Sequence, residues 1–287
     1  MSESKSLWKD AFERMIRQRI VLVSMAMIVL YLLLGLFVGL GLIGGSWDQA
    51  IGEGYQSPSF DSIRHWMGTD IFGRSVLLKM IHGIQTALIV GGIASLISVF
   101  IGLTLGAIAG YFGRWVDDLV VWFYTTFSSI PAIMFLIAIT FVLEKGLVTV
   151  CIAIGLTSWV GLCRVIRGEV LKHKNREYVQ AARAIGASHR SRIFRHILPN
   201  IFHQVIINFS LMFQSAIKSE VILSYLGLGV QGRPSWGLMI DDSKLVLGRG
   251  IWWELTAATL AMFLLVLALN IFSDALRDAL DPKLKSS

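Results

Sequence analysis

Apolar residues gather in long runs free of charge, at 20–47, 80–113, 119–143, 146–163, 197–217 and 255–273. A helix needs about 20 mostly apolar residues to cross the hydrocarbon core of a bilayer. The pattern therefore predicts an all-α integral membrane protein with six transmembrane helices. The fourth run is short and reaches position 170 if Arg164 and Arg167 snorkel to the interface. Arg114-Trp115-Val116-Asp117-Asp118 divides the second run from the third, and Glu144-Lys145-Gly146 the third from the fourth. Both read as tight turns that make spans two to four neighbours. The first run follows a basic segment, is too long for a signal peptide and shows no small-residue cleavage pattern ahead of a soluble domain, so it reads as an uncleaved span. No obvious sequence repeat stands out.

Composition agrees with this pattern. Of 287 residues, 55% are hydrophobic and 16% charged, against roughly 25% charged in soluble domains. Disorder is excluded, and a soluble globular enzyme does not fit. The net charge of +7 would suit nucleic acid, but the basic residues lie between apolar runs rather than on one face, so no nucleic-acid partner is expected. With the N-terminus inside, 18 of the 26 lysines and arginines fall on the cytoplasmic side and 8 on the other. Positive charge favours the cytoplasm, which puts both termini there. The expected organisation is a cytoplasmic N-terminal segment at 1–19, a first transmembrane helix at 20–44 and an extracytoplasmic segment at 45–79. A core at 80–275 then carries five transmembrane helices, a cytoplasmic loop at 164–200 and an extracytoplasmic loop at 218–254, and a cytoplasmic tail at 276–287 follows.

Chemistry-bearing motifs are sparse. Cys151 and Cys163 sit in apolar sequence at a spacing that matches no zinc or redox motif, and read as buried packing residues. His65, His82, His173, His189, His196 and His203 form no i, i+4 pair inside a span, so no metal site is expected. There is no G-x-x-x-x-G-K-[ST] phosphate loop, so the chain itself should neither bind nor hydrolyse ATP. Ser128, Ser129, Thr157, Ser158, Asn208, Ser210, Gln214 and Ser215 are polar within apolar runs; they line a translocation path or bond helix to helix. Lys218 and Glu220, near an outer end, pair or gate, or else anchor at the interface. The apolar stretch Val221-Ile222-Leu223-Ser224-Tyr225-Leu226-Gly227-Leu228-Gly229 is too short to span; it is a re-entrant, gate-lining segment or an extension of the fifth helix.

The loop at 164–200 holds nine of the 26 basic residues. Tyr178, Ala181, Ala182 and Ile185 recur at i, i+3, i+4 and i+7, which predicts an amphipathic helix. Gly186 supplies its stop. Ser188 can cap a second short helix carrying Ile193, Phe194, Ile197 and Leu198, and Pro199 suits the start of the next span, where a missing N–H costs little. Without further information, this is a basic hairpin lying on anionic headgroups or a docking site whose small alanines allow close approach by another protein.

The wording of the loop favours docking. Glu177-Tyr178-Val179-Gln180-Ala181-Ala182-Arg183-Ala184-Ile185-Gly186-Ala187-Ser188, then Arg195-His196-Ile197-Leu198-Pro199-Asn200, resembles the EAA loop of binding-protein-dependent ABC transporter permeases. Ala181, Ala182, Gly186, Leu198 and Pro199 match in register, whereas Gln180 stands where the pattern has Glu and His196 where it has Ile. The strings Arg183-Ala184-Ile185-Gly186-Ala187-Ser188 and His196-Ile197-Leu198-Pro199-Asn200 look like the dipeptide/oligopeptide/nickel branch. So do His65-Trp66-Met67-Gly68-Thr69-Asp70-Ile71-Phe72-Gly73-Arg74, Leu223-Ser224-Tyr225-Leu226-Gly227-Leu228-Gly229 with Pro234-Ser235-Trp236-Gly237, and Asn270 with Asp274-Ala275-Leu276-Arg277-Asp278-Ala279-Leu280-Asp281-Pro282, all as in its C-type subunit. Ser75 replaces a usual Asp, and Tyr225 a common Phe.

The resemblance implies a type I ABC importer permease (MetI-like) core in a bacterial cytoplasmic (inner) membrane, with no catalytic role of its own. It implies a coupling loop made by Glu177, Gln180, Ala181, Ala182, Gly186, Ala187, His196, Leu198 and Pro199. Partners would be a homologous B-type permease as heterodimer, one or two cytoplasmic ABC ATPases that hold ATP and Mg, and an extracytoplasmic solute-binding protein. Ser128, Ser129, Ser158, Asn208, Gln214 and Ser215 are candidate path residues, and Lys218, Glu220 and Tyr225 a candidate outer gate. Dipeptides or oligopeptides are the expected solutes, with nickel or another non-peptide solute as the alternative.

Overall fold

The computed structural model describes residues 13–280. The expectations for 1–12 and for 281–287, including Asp281 and Pro282 of the terminal motif, lie outside the described residues. The described chain is helical, with only the isolated bridges Ala50–Arg74 and Thr69–Ser75 as β-type pairing. We number the helices α1 (Arg19–Gly39), α2 (Val76–Phe112), α3 (Arg114–Ser128), α4 (Ala132–Val142), α5 (Leu147–Thr157) and α6 (Val160–His173). They continue as α7 (Glu177–Ala184), α8 (His189–Tyr225), α9 (Trp236–Lys244) and α10 (Trp253–Leu280).

Among the described residues, α1, α2, α8 and α10 are each long and apolar enough to cross a membrane. The third and fourth expected spans are not single helices. α3 and α4 meet at 84°, and α5 and α6 at 41°; counting each bent pair as one span restores six. The first break has a covalent cause: Pro131 has no N–H for the helical ladder, and its ring drives Ile130 out of helical geometry. At the second, Thr157 Oγ1 donates back to the carbonyls of Ala153 (2.9 Å) and Ile154 (3.1 Å), a competition that bends helices. The expected turn at Arg114–Asp118 is likewise corrected. Gly113, at φ +66°, and Arg114, at φ +50°, reverse the chain, and Arg114 to Asp118 form the first turn of α3.

The contacts divide the chain into two compact units, and α2 and α8 each contribute residues to both. One unit holds the residues up to Gly92, Thr140–Cys151 and those from Gln214 onward. Here Trp236, 1% exposed, is the centre. Its indole donates to the Met80 carbonyl (3.1 Å) and meets the Tyr31 ring edge-on, while Tyr31 donates to the Ala261 carbonyl (2.9 Å). A Cβ on Gly83 would lie 2.6 Å from the Trp236 ring, so only glycine admits the indole there. α8 runs on to Tyr225, which settles the apolar stretch after 221 as helix extension rather than a re-entrant segment as far as that residue.

The segment before α2 is tied down by charge. Asp70 accepts from the backbone N–H groups of Phe72 and Arg74 (both 2.9 Å), from Arg74 Nε (2.7 Å) and from Lys79 Nζ (3.0 Å). Lys79 also reaches Glu254 at the start of α10 (2.5 Å), and its side chain is 5% exposed. Burial pushes the Asp70 carboxyl up, but the charge of Lys79 and the hydrogen bonds from Arg74 and Lys79 outweigh it and hold the group below the usual carboxylate range. Ser75, in place of a usual Asp, accepts from Leu78 N–H (3.3 Å) at the first turn of α2 and donates to the Arg64 carbonyl (2.6 Å).

The other unit, Ile93–Ile139 and Ile152–Phe213, is organised by a glycine stripe. Gly102, Gly106 and Gly110 lie four apart on one face of α2. Cβ atoms there would meet the carbonyls of Trp159, Cys163 and Arg167 on α6 at 2.8, 2.6 and 2.7 Å. The two backbones therefore pack with no side chain between them, the close approach that small residues permit in membranes.

Candidate functional site

The segment from α6 to α8 is anchored at its base. Arg167 grips Asp117 of α3 through Nε and Nη2 (2.5 and 2.6 Å), and Lys174 donates to the free carbonyl of Gly110 at the end of α2 (3.0 Å). Arg167 is thus paired. Gln180 donates from Nε2 to the Lys174 carbonyl (3.2 Å), a bond that Glu, the residue of the general motif, cannot make when ionised.

The turn between α7 and α8 follows the local code. Gly186 adopts φ +84°; its N–H bonds to Arg183 O and that of Ala187 to Ala182 O (both 3.0 Å), which satisfies two terminal carbonyls of α7. Ser188 Oγ accepts from Ser191 N–H (3.2 Å) as the N-cap of α8. The second helix is not a separate short one. It begins at His189, takes π-helical hydrogen bonding over Arg192–Ile197 and runs straight into the span. Pro199 therefore lies inside a continuous helix. The widened turn ahead of it accommodates its ring and missing N–H, and Asn200 Nδ2 donates to the His196 carbonyl (2.6 Å).

α7 is amphipathic, and its buried residues are Val179 and Ala182. Val179 packs in one cluster with Ile166, Val170 and Ile197. Tyr178, Ala181 and Ile185 are exposed, Ile185 by 85%, as is Phe194 by 62%. Ala182 belongs to both helix faces, and the α6 core selects the one through Val179. The site thus presents an uncovered apolar crest, Tyr178, Ala181, Ile185 and Phe194, among basic side chains. Glu177 and Gln180 are exposed beside it, Ala187 and His196 are half-buried, Leu198 packs on the core and Pro199 is exposed.

Beyond the anchor, the two helix breaks meet. Trp159, at the α5–α6 break and 2% exposed, stacks on Phe123 (5.7 Å between centroids) and lies 5.4 Å from Phe127, which meets Phe135 of α4 edge-on. Arg164 lies over the Tyr124 ring (4.9 Å), and its Nη2 donates to Ser128 Oγ (3.3 Å). The remaining candidate path residues have the following local surroundings. Ser129 donates to Thr126 O (2.7 Å), Asn208 to Gln204 O (2.8 Å), and Ser158 is half-buried. In the other unit, Gln214 donates to Ser273 (3.5 Å) and Ser215 is exposed. Lys218 and Glu220 do not pair: Lys218 is exposed, whereas Glu220 is buried and accepts from Ser224 Oγ (2.6 Å). Tyr225 lies under the Lys244 ammonium (4.7 Å). Among the described residues no three His, Cys, Asp or Glu come together as a metal site.

Sequence reasoning passed over two features. The glycine stripe was legible as a four-residue spacing in the second apolar run. The Lys79–Asp70–Glu254 cluster carried no signal, since Lys79 and Glu254 are 175 residues apart.

Residues 102–286 match the family described as the binding-protein-dependent transport system inner membrane component. The chain belongs to this family. Among its relatives, the dipeptide transport system permease protein DppC of Alkalihalophilus pseudofirmus is 34% identical over 98% of this chain and 91% of its own length. The oligopeptide transport system permease protein OppC of Bacillus subtilis is 33% identical over 99% and 92%. The glutathione transport system permease protein GsiD of Pectobacterium atrosepticum is 32% identical over 97% and 92%. A chain of the MetNI methionine ABC transporter, from a structure of its inward-facing conformations, shares the fold at TM-score 0.57 and 16% identity, over 71% of this chain and 97% of that one. The protein is thus an ABC transporter permease, a multi-pass inner membrane component that works with ATPase and binding-protein partners.

Proposed function

We propose that this permease forms half of the translocation path of a peptide importer and takes its energy through the α7–α8 turn. The observation that carries the coupling role is the uncovered crest of Tyr178, Ala181, Ile185 and Phe194 on an otherwise well-packed, doubly anchored turn. Exposed apolar side chains on a rigid element suit insertion into a cleft of a partner protein. Glu177, Gln180, Ala181, Ala182, Gly186, Ala187, His196, Leu198 and Pro199 build and orient that surface. The peptide assignment is supported by relatives named for dipeptides, oligopeptides and glutathione, itself a peptide.

In this reading both termini and the α7–α8 turn are cytoplasmic, as the distribution of lysine and arginine favours. A homologous permease completes the path as heterodimer, one or two cytoplasmic ATPases hold ATP and Mg, and an extracytoplasmic binding protein delivers solute. Closure of the ATPases moves the docked turn, and α6 and α8, which carry it, tilt together. The cavity then alternates between faces as a two-state shift biased by ligands that bind one state better. Ser128, Ser129 and Ser158, beside the helix breaks, line the path with Asn208, Gln214 and Ser215, and Lys218, Glu220 and Tyr225 belong to its outer gate.

The test is affinity purification of the tagged chain from solubilised membranes with mass spectrometry of its partners, followed by peptide uptake in the reconstituted assembly. Recovery of a second permease with ATPases, and uptake of short peptides, is the expected result. A stable chain that brings down no ATPase would overturn the coupling role, and an assembly that moves no peptide would overturn the solute class.

A further inference from the structure

We infer that Arg164 is the group that receives the C-terminal carboxylate of the solute as it passes the helix breaks. The inference rests on the peptide reading above and names the chemistry by which the path recognises that class.

Three observations carry it. First, Arg164 is a cation without an acidic partner among the described residues. Its neighbours are the Tyr124 ring and the Ser128 hydroxyl. Three positions further along the same helix, Arg167 has a complete bidentate carboxylate in Asp117. The same helix thus satisfies one guanidinium and leaves the other open. Second, Arg164 stands nine residues, about 14 Å of helix axis, before the end of α6, away from the α7–α8 turn. Arg164 is exposed there, open to an anionic counter-charge. A cation–π contact of about 0.5–2 kcal/mol does not supply that counter-charge.

Third, the surroundings suit a peptide end. The α3–α4 and α5–α6 breaks converge here, and interrupted helices are tolerated at membrane depth only where protein or a cavity covers the freed backbone. Ser128 accepts from Arg164 and keeps its own hydroxyl hydrogen to give, so a carboxylate can take two guanidinium N–H groups and one O–H. Phe123, 47% exposed on stacked Trp159, offers a flat apolar floor that tolerates different side chains. The free carboxylate is the feature that linear peptides share whatever their sequence, and the planar fork of arginine is the side chain that grips it in two places.

The test uses the assembled transporter in proteoliposomes with saturating peptide-loaded binding protein, and free-acid trialanine as probe. Arg164→Gln is expected to lower uptake roughly ten- to hundredfold, the worth of a charged hydrogen bond, and Arg164→Lys to keep a substantial part of it. Ser128→Asp separates this role from a structural one. It places a carboxylate of the chain itself on Arg164, which satisfies a structural cation but blocks the solute. Ser128→Asp is therefore expected to transport as poorly as Arg164→Gln, with partner subunits recovered with every variant. Wild-type uptake in Ser128→Asp or in Arg164→Gln would overturn the inference alone. A wild-type assembly that imports no peptide would overturn the solute class and this inference together.

Discussion

The close approach of α2 and α6 permits a prediction whose sign differs between two glycines of the same helix pair. A methyl group at Gly106 would lie 2.6 Å from the Cys163 carbonyl and 3.0 Å from Ile166 Cβ, both on the α6 side, where no flexible side chain can swing away. Restoring an ordinary contact near 3.4 Å means moving the helices apart by about 0.8 Å. Overpacking of this kind costs about 1–3 kcal/mol, offset by about 1 kcal/mol because alanine favours helix over glycine. Gly168, on α6 itself, faces open space with nothing within 4 Å, so Gly168→Ala keeps the propensity gain and meets no clash. The two variants should therefore differ by about 1–3 kcal/mol, or roughly 2–12 °C in Tm at the 2–4 °C per kcal/mol usual for chains of this size. The assay is built in: Cys151 and Cys163 are the only two cysteines and both are buried, so a thiol-reactive fluorophore reports unfolding on heating. Gly106→Ala should melt below wild type and Gly168→Ala at or above it. Equal melting of the two would refute the claim that the glycine stripe sets the α2–α6 distance.

The same reasoning yields further tests. Lys79→Ala strands Asp70 and Glu254 without their buried cation and should cost about 3–5 kcal/mol, read in the same thermal assay. Because the Asp70 pKa is lowered on folding, its contribution is fully present above the ordinary carboxylate pKa of about 4 and is lost as pH falls through the lowered value. A melting series from pH 7 to 3 should show that loss in wild type and not in Asp70→Asn, and parallel curves would refute it. Ile185→Asp, which alters an 85% exposed side chain, should leave the melting temperature within about 1 °C of wild type, as surface changes do, yet abolish co-purification of the ATPases. Gly186→Leu places a branched side chain at φ +84°, a strain of about 1–3 kcal/mol, and should uncouple ATP hydrolysis from uptake; unchanged uptake would count against the docked turn.

The sequence by itself determined what is local in cause. Apolar run length decided where helices form, since a bilayer demands about 20 apolar residues per crossing. Gly186 and Ser188 acted through their own backbone and hydroxyl chemistry, so the α7–α8 turn matches its expected stop and cap. The EAA-like wording was specific enough to reveal the family from a few residues at fixed spacing. Only the tertiary structure decided which face of α7 is buried, because Ala182 suits both faces and the choice lies with Ile166 and Val170 of α6. It alone joined Lys79 to Glu254 across 175 residues, left Arg164 open while pairing Arg167, and brought two helix breaks onto one aromatic cluster. Each of these depends on which distant groups meet. A charge or a small residue has no preferred partner until packing, through desolvation and close contact, supplies one.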